Sequence, residues 1–180
     1  MSTTRIVFSG YGGQGILTLG QIIASIGMNQ EKKVTWMPSY GAEMRGGTAN
    51  CAVIISDNVI GSPMVISDID ILVAMNMPSL DKFLSKVKSG GTLLINSSII
   101  NYEIARDDIT IIKIDASNIA THIGDVRVAN MVMVSGFLHK TELFTMPDIR
   151  LALEEKFKSK KPGVVDLNIK AIEQGLESIR

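Results

Sequence analysis

Apolar positions along the chain fall into two alternating rhythms. Short runs rich in β-branched residues stand at Arg5–Phe8 (RIVF), Val34–Met37 (VTWM), Thr48–Ser56 (TANCAVIIS), Asp70–Met75 (DILVAM), Thr92–Asn96 (TLLIN) and Thr110–Ile114 (TIIKI). Such runs predict strands, and the unbroken apolar stretch 70–75 suits a strand covered on both faces. Between them the spacing changes. Ile16, Leu19, Ile22, Ile23 and Ile26 recur three and four apart, which predicts a helix to about Asn29. Pro78 and Ser79 open a helix to about Lys88, and Ser89-Gly90-Gly91 then turns the chain into the strand 92–96. The last third reads as helical at 116–123, 126–140, from Thr145 onward, and 165–179. The stretch 126–140 is apolar all round, so burial on more than one side is expected. In Thr145-Met-Pro-Asp148, Thr145 is the expected N-cap and Asp148 lies in the first turn.

Strands alternating with helices predict an α/β fold: a three-layer, Rossmann-like, mostly parallel sheet with helices on both faces. Only a loop separates VTWM from TANCAVIIS, so that pair is expected to be antiparallel. No repeat or long linker interrupts the chain, and residues 1–180 are read as one domain.

Composition narrows the function classes. Lys plus Arg equals Asp plus Glu at 18 each, so the formal net charge is zero. That argues against nucleic-acid binding, which needs a basic face, and gives little repulsion between copies. Ten methionines and a mean hydropathy of +0.24 fit either core filling or an adaptable contact surface. The single cysteine, Cys51, excludes an internal disulfide, and an iron–sulfur cluster held by this chain alone needs about four. Opening an apolar strand, Cys51 reads as a buried small residue. His122 and His139 stand in no metal or catalytic spacing. No signal-like region opens MSTTRIVF and no apolar run reaches the roughly 18 residues of a membrane span. A cytoplasmic location without membrane contact is therefore expected.

Two glycine-rich segments carry the candidate chemistry. SGYGGQG, Ser9–Gly15, joins the first strand to the first helix and fits G-x-G-x-x-G at Gly10, Gly12 and Gly15. In a dinucleotide-binding protein this turn lays a pyrophosphate on the helix N-terminus. An acidic residue at the end of the second strand would hold the ribose, yet Val34-Thr-Trp-Met-Pro38 offers no carboxylate and no arginine. Gln14, inside the turn, has an amide that can bridge a neighbouring loop or another chain. The second segment, PSYGAEMRGGTANC, Pro38–Cys51, would lie beside the turn at the carboxyl ends of the strands.

Together, GYGGQG and PSYGAEMRGGTANC resemble the gamma subunit, or gamma domain, of the 2-oxoacid:ferredoxin oxidoreductases. The resemblance extends to ISDNVIGSP (Ile55–Pro63), to ILVAMN with Pro78, and to the tail KFKSKKPGVVDLNIKAIEQG. It implies a non-catalytic subunit of a complex that oxidatively decarboxylates a 2-oxoacid onto coenzyme A. The complex would use thiamine diphosphate with magnesium, iron–sulfur clusters and coenzyme A, none of them held by this chain alone. Alpha, beta and delta-type subunits and a ferredoxin or other low-potential acceptor are the implied partners. The wording of the loops looks most like the 2-oxoglutarate branch, with the branched-chain and pyruvate branches as alternatives. An independent nucleotide-binding module is the competing reading.

In that setting Gly10, Gly12, Gly13, Gln14 and Gly15 are the residues expected to take a phosphate of coenzyme A, or to admit a partner's backbone. Ser39, Tyr40, Glu43, Arg45, Gly46 and Gly47 are expected at a subunit interface. Arg45 would clamp a phosphate or a partner carboxylate, with Glu43 orienting it. Lys156, Lys158, Lys160 and Lys161 read as a solvated helix end, or as steering charges for an acidic acceptor. A chain without its partners is expected to self-associate.

Overall fold

The computed structural model describes residues 3–40, 48–160 and 162–179. In order along the chain come β1 (Thr3–Tyr11), α1 (Ile16–Asn29), β2 (Lys33–Tyr40), β3 (Thr48–Ser56), β4 (Ile69–Ala74) and α2 (Met77–Phe83). They are followed by β5 (Val87–Asn96), β6 (Thr110–Ile114), α3 (Ala116–Ile123), α4 (Ala129–Lys140), α5 (Met146–Phe157) and α6 (Val164–Ile179). The six strands form one sheet in the order β2-β3-β1-β4-β5-β6.

The chain crosses over from β1 through α1 to the sheet edge at β2 and returns antiparallel as β3. β3 is antiparallel to β1 as well, whereas β1, β4 and β5 take their next neighbours in parallel. Thus five strands share one direction and β3 opposes them. The expected antiparallel pair is there, and the sheet is mostly parallel.

Both faces carry helices, unequally. Alternate residues of β1 serve opposite faces. Ile6 and Phe8 belong to a core with residues of α1, α3, α4, α5 and α6. Phe8 stacks on Phe137 of α4, ring centroids 5.7 Å apart. Val7, with Leu72, Leu93 and Ile95, belongs to a smaller core closed by Leu80 and Phe83 of α2 and by Ile100. Helix α4, Ala129–Phe137, is buried on all sides between the sheet and α6, as its sequence predicted. Helix α1 lies close over β3 and β2. A side chain at Gly20 would collide with the Cys51 sulfur and press on the Trp36 indole.

Several elements differ from the sequence reading, and β2 too is longer than expected, at Lys33–Tyr40. β1 continues beyond Phe8 to Tyr11, because β3 pairs with it in register from Thr3↔Ser56 to Tyr11↔Thr48. The helix opened by Pro78 stops at Phe83, followed by a 3-10 turn at Leu84–Lys86. Ser89-Gly90-Gly91 is part of β5, where the pairing shifts between Ile69↔Val87 and Ile71↔Thr92. Gly90 has φ 74°. A glycine pair that serves a turn serves a strand irregularity equally well. Finally, Val126–Val128 is a separate 3-10 turn capped by Asp125, whose carboxylate accepts the Arg127 amide at 3.0 Å.

Candidate functional site

The Ser9–Gly15 turn lies where the sheet changes winding direction, between β1 and β4, the place where open α/β sheets form their ligand crevice. Its shape follows from its residues. At Gly10 a Cβ would stand 2.6 Å from the Gln14 side-chain oxygen, Oε1, and 2.9 Å from the Ile16 side chain. Gly15 is the N-cap of α1 at φ 71°, a conformation that an L side chain resists, and a Cβ there would run into the Asn130 amide. Asn130 donates to the Gly15 carbonyl at 3.1 Å, tying the turn to α4.

Gln14 is the clasp of the turn. Its side-chain oxygen accepts the Tyr11 amide at 2.6 Å and the Asn76 side-chain amide at 3.3 Å. Asn76 caps α2 by accepting the Ser79 amide at 3.0 Å, and the Ser9 hydroxyl donates to the Ser79 hydroxyl at 3.0 Å. Ser9, Asn76 and Ser79 are buried. The glutamine therefore bridges to a neighbouring loop within the chain, and the β1 and β4 ends are locked together.

Helix α1 begins without a side-chain cap and without an acidic residue in its first turn. Its first amides keep their donor capacity, and the dipole there favours an anion. A concavity of about 250 Å³ opens onto this end, lined by Tyr11, Gly12, Gly13, Leu17, Thr18 and Ala49 among others. A second, of about 240 Å³, lies on the other side of the turn against Gln14, Met75, Ser117 and Arg127. Arg127 is paired with Asp125 at 2.6 Å, which holds the Asp125 carboxyl below its ordinary range. Its side chain is 85% exposed, so the guanidinium stays within reach of a ligand.

The topology rules out the usual dinucleotide arrangement among the described residues. There the second strand lies beside the first and supplies the ribose-binding acid. Here β3 occupies that place, running the opposite way, and sets Ala49 and Thr48 against Gly10 and Tyr11. β2 is one strand further out. Ser39 lies exposed at the end of β2, and Tyr40 is its last residue. Glu43, Arg45, Gly46 and Gly47, expected at the interface, lie outside the described residues, as does Lys161. Lys156 bonds Gln21, and Lys158 stands at the C-cap position of α5.

Cys51 is fully buried, and burial pushes its thiol up to about 12. It is a packing residue without thiolate character near neutrality. Among the described residues no three His, Cys, Asp or Glu side chains gather as a metal site would require. Asn76, Ser79, Asn130 and Arg127 are the residues at the turn that sequence reasoning missed. Asn76 was detectable as an N-cap two residues before Pro78, and Asn130 as the polar residue in an otherwise apolar helix.

This fold and turn define a family of oxidoreductase subunits and domains. The chain belongs to the pyruvate ferredoxin/flavodoxin oxidoreductase family, whose pattern it matches over residues 5–178. It is 35% identical to the ketoisovalerate oxidoreductase subunit VorA of Methanothermobacter thermautotrophicus over 98% of its own length, and spans 36% of that longer protein. The chain thus covers about a third of the VorA subunits it matches. It is 32% identical to the 2-oxoglutarate synthase subunit KorC of Methanocaldococcus jannaschii, covering 96% of this chain and 92% of that one. The solved gamma subunit of a keto/oxoacid ferredoxin oxidoreductase from Geobacter sulfurreducens superposes with a TM-score of 0.80 at 28% identity, each chain being 98% covered.

Proposed function

We propose that this chain is the gamma subunit of a 2-oxoacid:ferredoxin oxidoreductase that converts 2-oxoglutarate to its acyl-coenzyme A. The observation that carries the reading is the end-to-end match to a 2-oxoglutarate synthase subunit of nearly the same length. The similarity to VorA makes a branched-chain 2-oxoacid the second reading. Thiamine diphosphate, magnesium and the iron–sulfur clusters belong to the companion alpha, beta and delta-type subunits. The electrons pass to a ferredoxin or similar low-potential acceptor.

Within the complex this chain contributes to assembly and to the side where coenzyme A enters. The uncapped start of α1, with Gly10, Gly12, Gly13, Gln14 and Gly15 forming the approach, suits a phosphate of that cofactor. The segment around Ser39, Tyr40, Glu43, Arg45, Gly46 and Gly47 contacts a companion subunit.

The test is reconstitution. The purified complex, assayed by dye reduction with coenzyme A, should prefer 2-oxoglutarate over 2-oxoisovalerate and pyruvate. Omitting this chain should abolish acyl-coenzyme A formation. Preference for 2-oxoisovalerate would establish the second reading, and full activity without the chain would refute the subunit assignment.

A further inference from the structure

Among the described residues no helix is seen to cover the face of β2 and β3 that points away from α1, since α2 packs on β1 and β4, although Ile54 on that face is buried. Register places Arg5, Ile54 and Thr35 in one row across this face, and Val7, Ala52 and Met37 in the next. Met37 is 41% exposed. Residues 57–68 run along the rim without helix or strand. This stretch holds three large aliphatic side chains in solvent: Val59 at 87%, Met64 at 56% and Ile66 at 68% exposure. An apolar rim of this kind marks a contact surface.

Beneath the rim lies a cavity of about 220 Å³ lined by Thr3, Arg5, Ser56, Val59, Ser62 and Met64. Arg5 is half-buried on a central strand, and its guanidinium has no ion pair or hydrogen bond among the described residues. The nearest acid in register, Asp70, is already engaged. Its carboxylate accepts the backbone amide of Arg5 at 2.7 Å and pairs with Lys88. A partly desolvated guanidinium that lacks a counter-charge favours a planar, two-oxygen acceptor. The lining is mixed: Thr3, Ser56 and Ser62 bring hydroxyls beside Arg5, and Val59 and Met64 add apolar surface at the mouth that suits apolar groups around that acceptor.

We infer that this surface docks a companion subunit of the complex through a carboxylate, Asp or Glu, ringed by apolar side chains, with Arg5 receiving the carboxylate and Val59, Met64 and Ile66 closing over its neighbours. The inference rests on the gamma-subunit reading and adds the face and the anchor to it. It is separate from the glycine turn, because the cavity is formed by the opposite ends of β1 and β3, near Thr3 and Ser56.

The experiment measures binding of this chain to the immobilised alpha–beta pair of the same complex. Val59→Glu and Ile66→Glu alter side chains that are mostly in solvent, so they leave the fold intact. Arg5→Met removes the charge and keeps the length, and Leu151→Glu on α5, 49% exposed in the wild type, is the control. The expected result is at least tenfold weaker binding for the first three, a change within twofold for the control, and unchanged thermal melting of the glutamate variants. Binding of all variants within twofold of wild type would overturn the surface and leave the subunit reading standing. Loss with the glutamate variants alone would overturn the carboxylate anchor. Loss of self-association without loss of alpha–beta binding would assign the patch to a second copy and overturn the proposal. Failure of the wild-type chain to bind the pair would overturn the subunit reading together with it.

Discussion

A single glutamine and a single asparagine do most of the shaping at the candidate site. Gln14 ties the turn to the β4 loop through Asn76, and Asn130 ties it to α4. Neither contact needs a ligand, so the turn is organised before anything binds. Gly15→Ala should therefore be costly, since it combines a left-handed backbone with a collision against Asn130. A loss of about 1–3 kcal/mol is expected, read as a lower urea midpoint at unchanged slope. Asn76→Ala removes the cap of α2 together with the clasp on Gln14, at a cost of about 1–2 kcal/mol. The same denaturation series checks it. Its second expected effect is weaker coenzyme A binding by the assembled complex, measured by calorimetry, because the clasp between Gln14 and the end of β4 is gone.

At the scale of elements, most strands and helices were legible because one rhythm governed each. TANCAVIIS and TIIKI coincide with β3 and β6, and the helical spacing from Ile16 gave α1 to its last residue. Ambiguity concentrated where one residue type serves two purposes: Gly90 and Gly91 read as a turn and stand in a strand. The site was legible only in part. The turn could be found from its glycines, whereas Asn130 and Arg127 come from a segment more than 100 residues on, and no local spacing links them to Gly15.

The capping box of α5 was fully readable and supplies a pH test. Thr145 accepts the Asp148 amide, while the Asp148 carboxylate accepts from the Thr145 amide at 2.8 Å and its hydroxyl at 2.6 Å. These bonds hold the Asp148 carboxyl below its ordinary value. A carboxyl lowered on folding adds stability above its unfolded value near 3.9, and that share disappears as pH falls through the folded value. Thr145→Ala should cost about 1 kcal/mol near neutrality. Asp148→Asn should flatten the acid limb of stability below about pH 4. Both are measured by thermal melting from pH 3 to 7, and an unchanged acid limb in Asp148→Asn would refute the assignment.

At the scale of the whole molecule, one strand running backwards decides which ligand class the sheet accepts. β3 beside β1 removes the position from which a parallel second strand would offer its ribose-binding acid. Titration of the isolated chain with NAD or FAD, followed by calorimetry, should show no saturable heat, and saturation in the micromolar range would contradict this. The two faces of the sheet also differ in their helices. Among the described residues, five helices join the core on one face, while the short helix α2 packs on the other.

The same backward strand bears on how the protein is made. By Ser56 the ribosome has produced β1, α1, β2 and β3, which together are a three-stranded ribbon with a helix on one side. Its far border is the outer side of β2, which pairs with no strand among the described residues. Its near border is the exposed side of β1, which stays unpaired until β4 emerges at Ile69–Ala74. During that interval the nascent chain offers a second raw strand edge, bearing the apolar residues Ile6, Val7 and Phe8. Vectorial synthesis thus leaves a defined moment at which a chaperone, or another nascent copy, competes with the chain's own next strand.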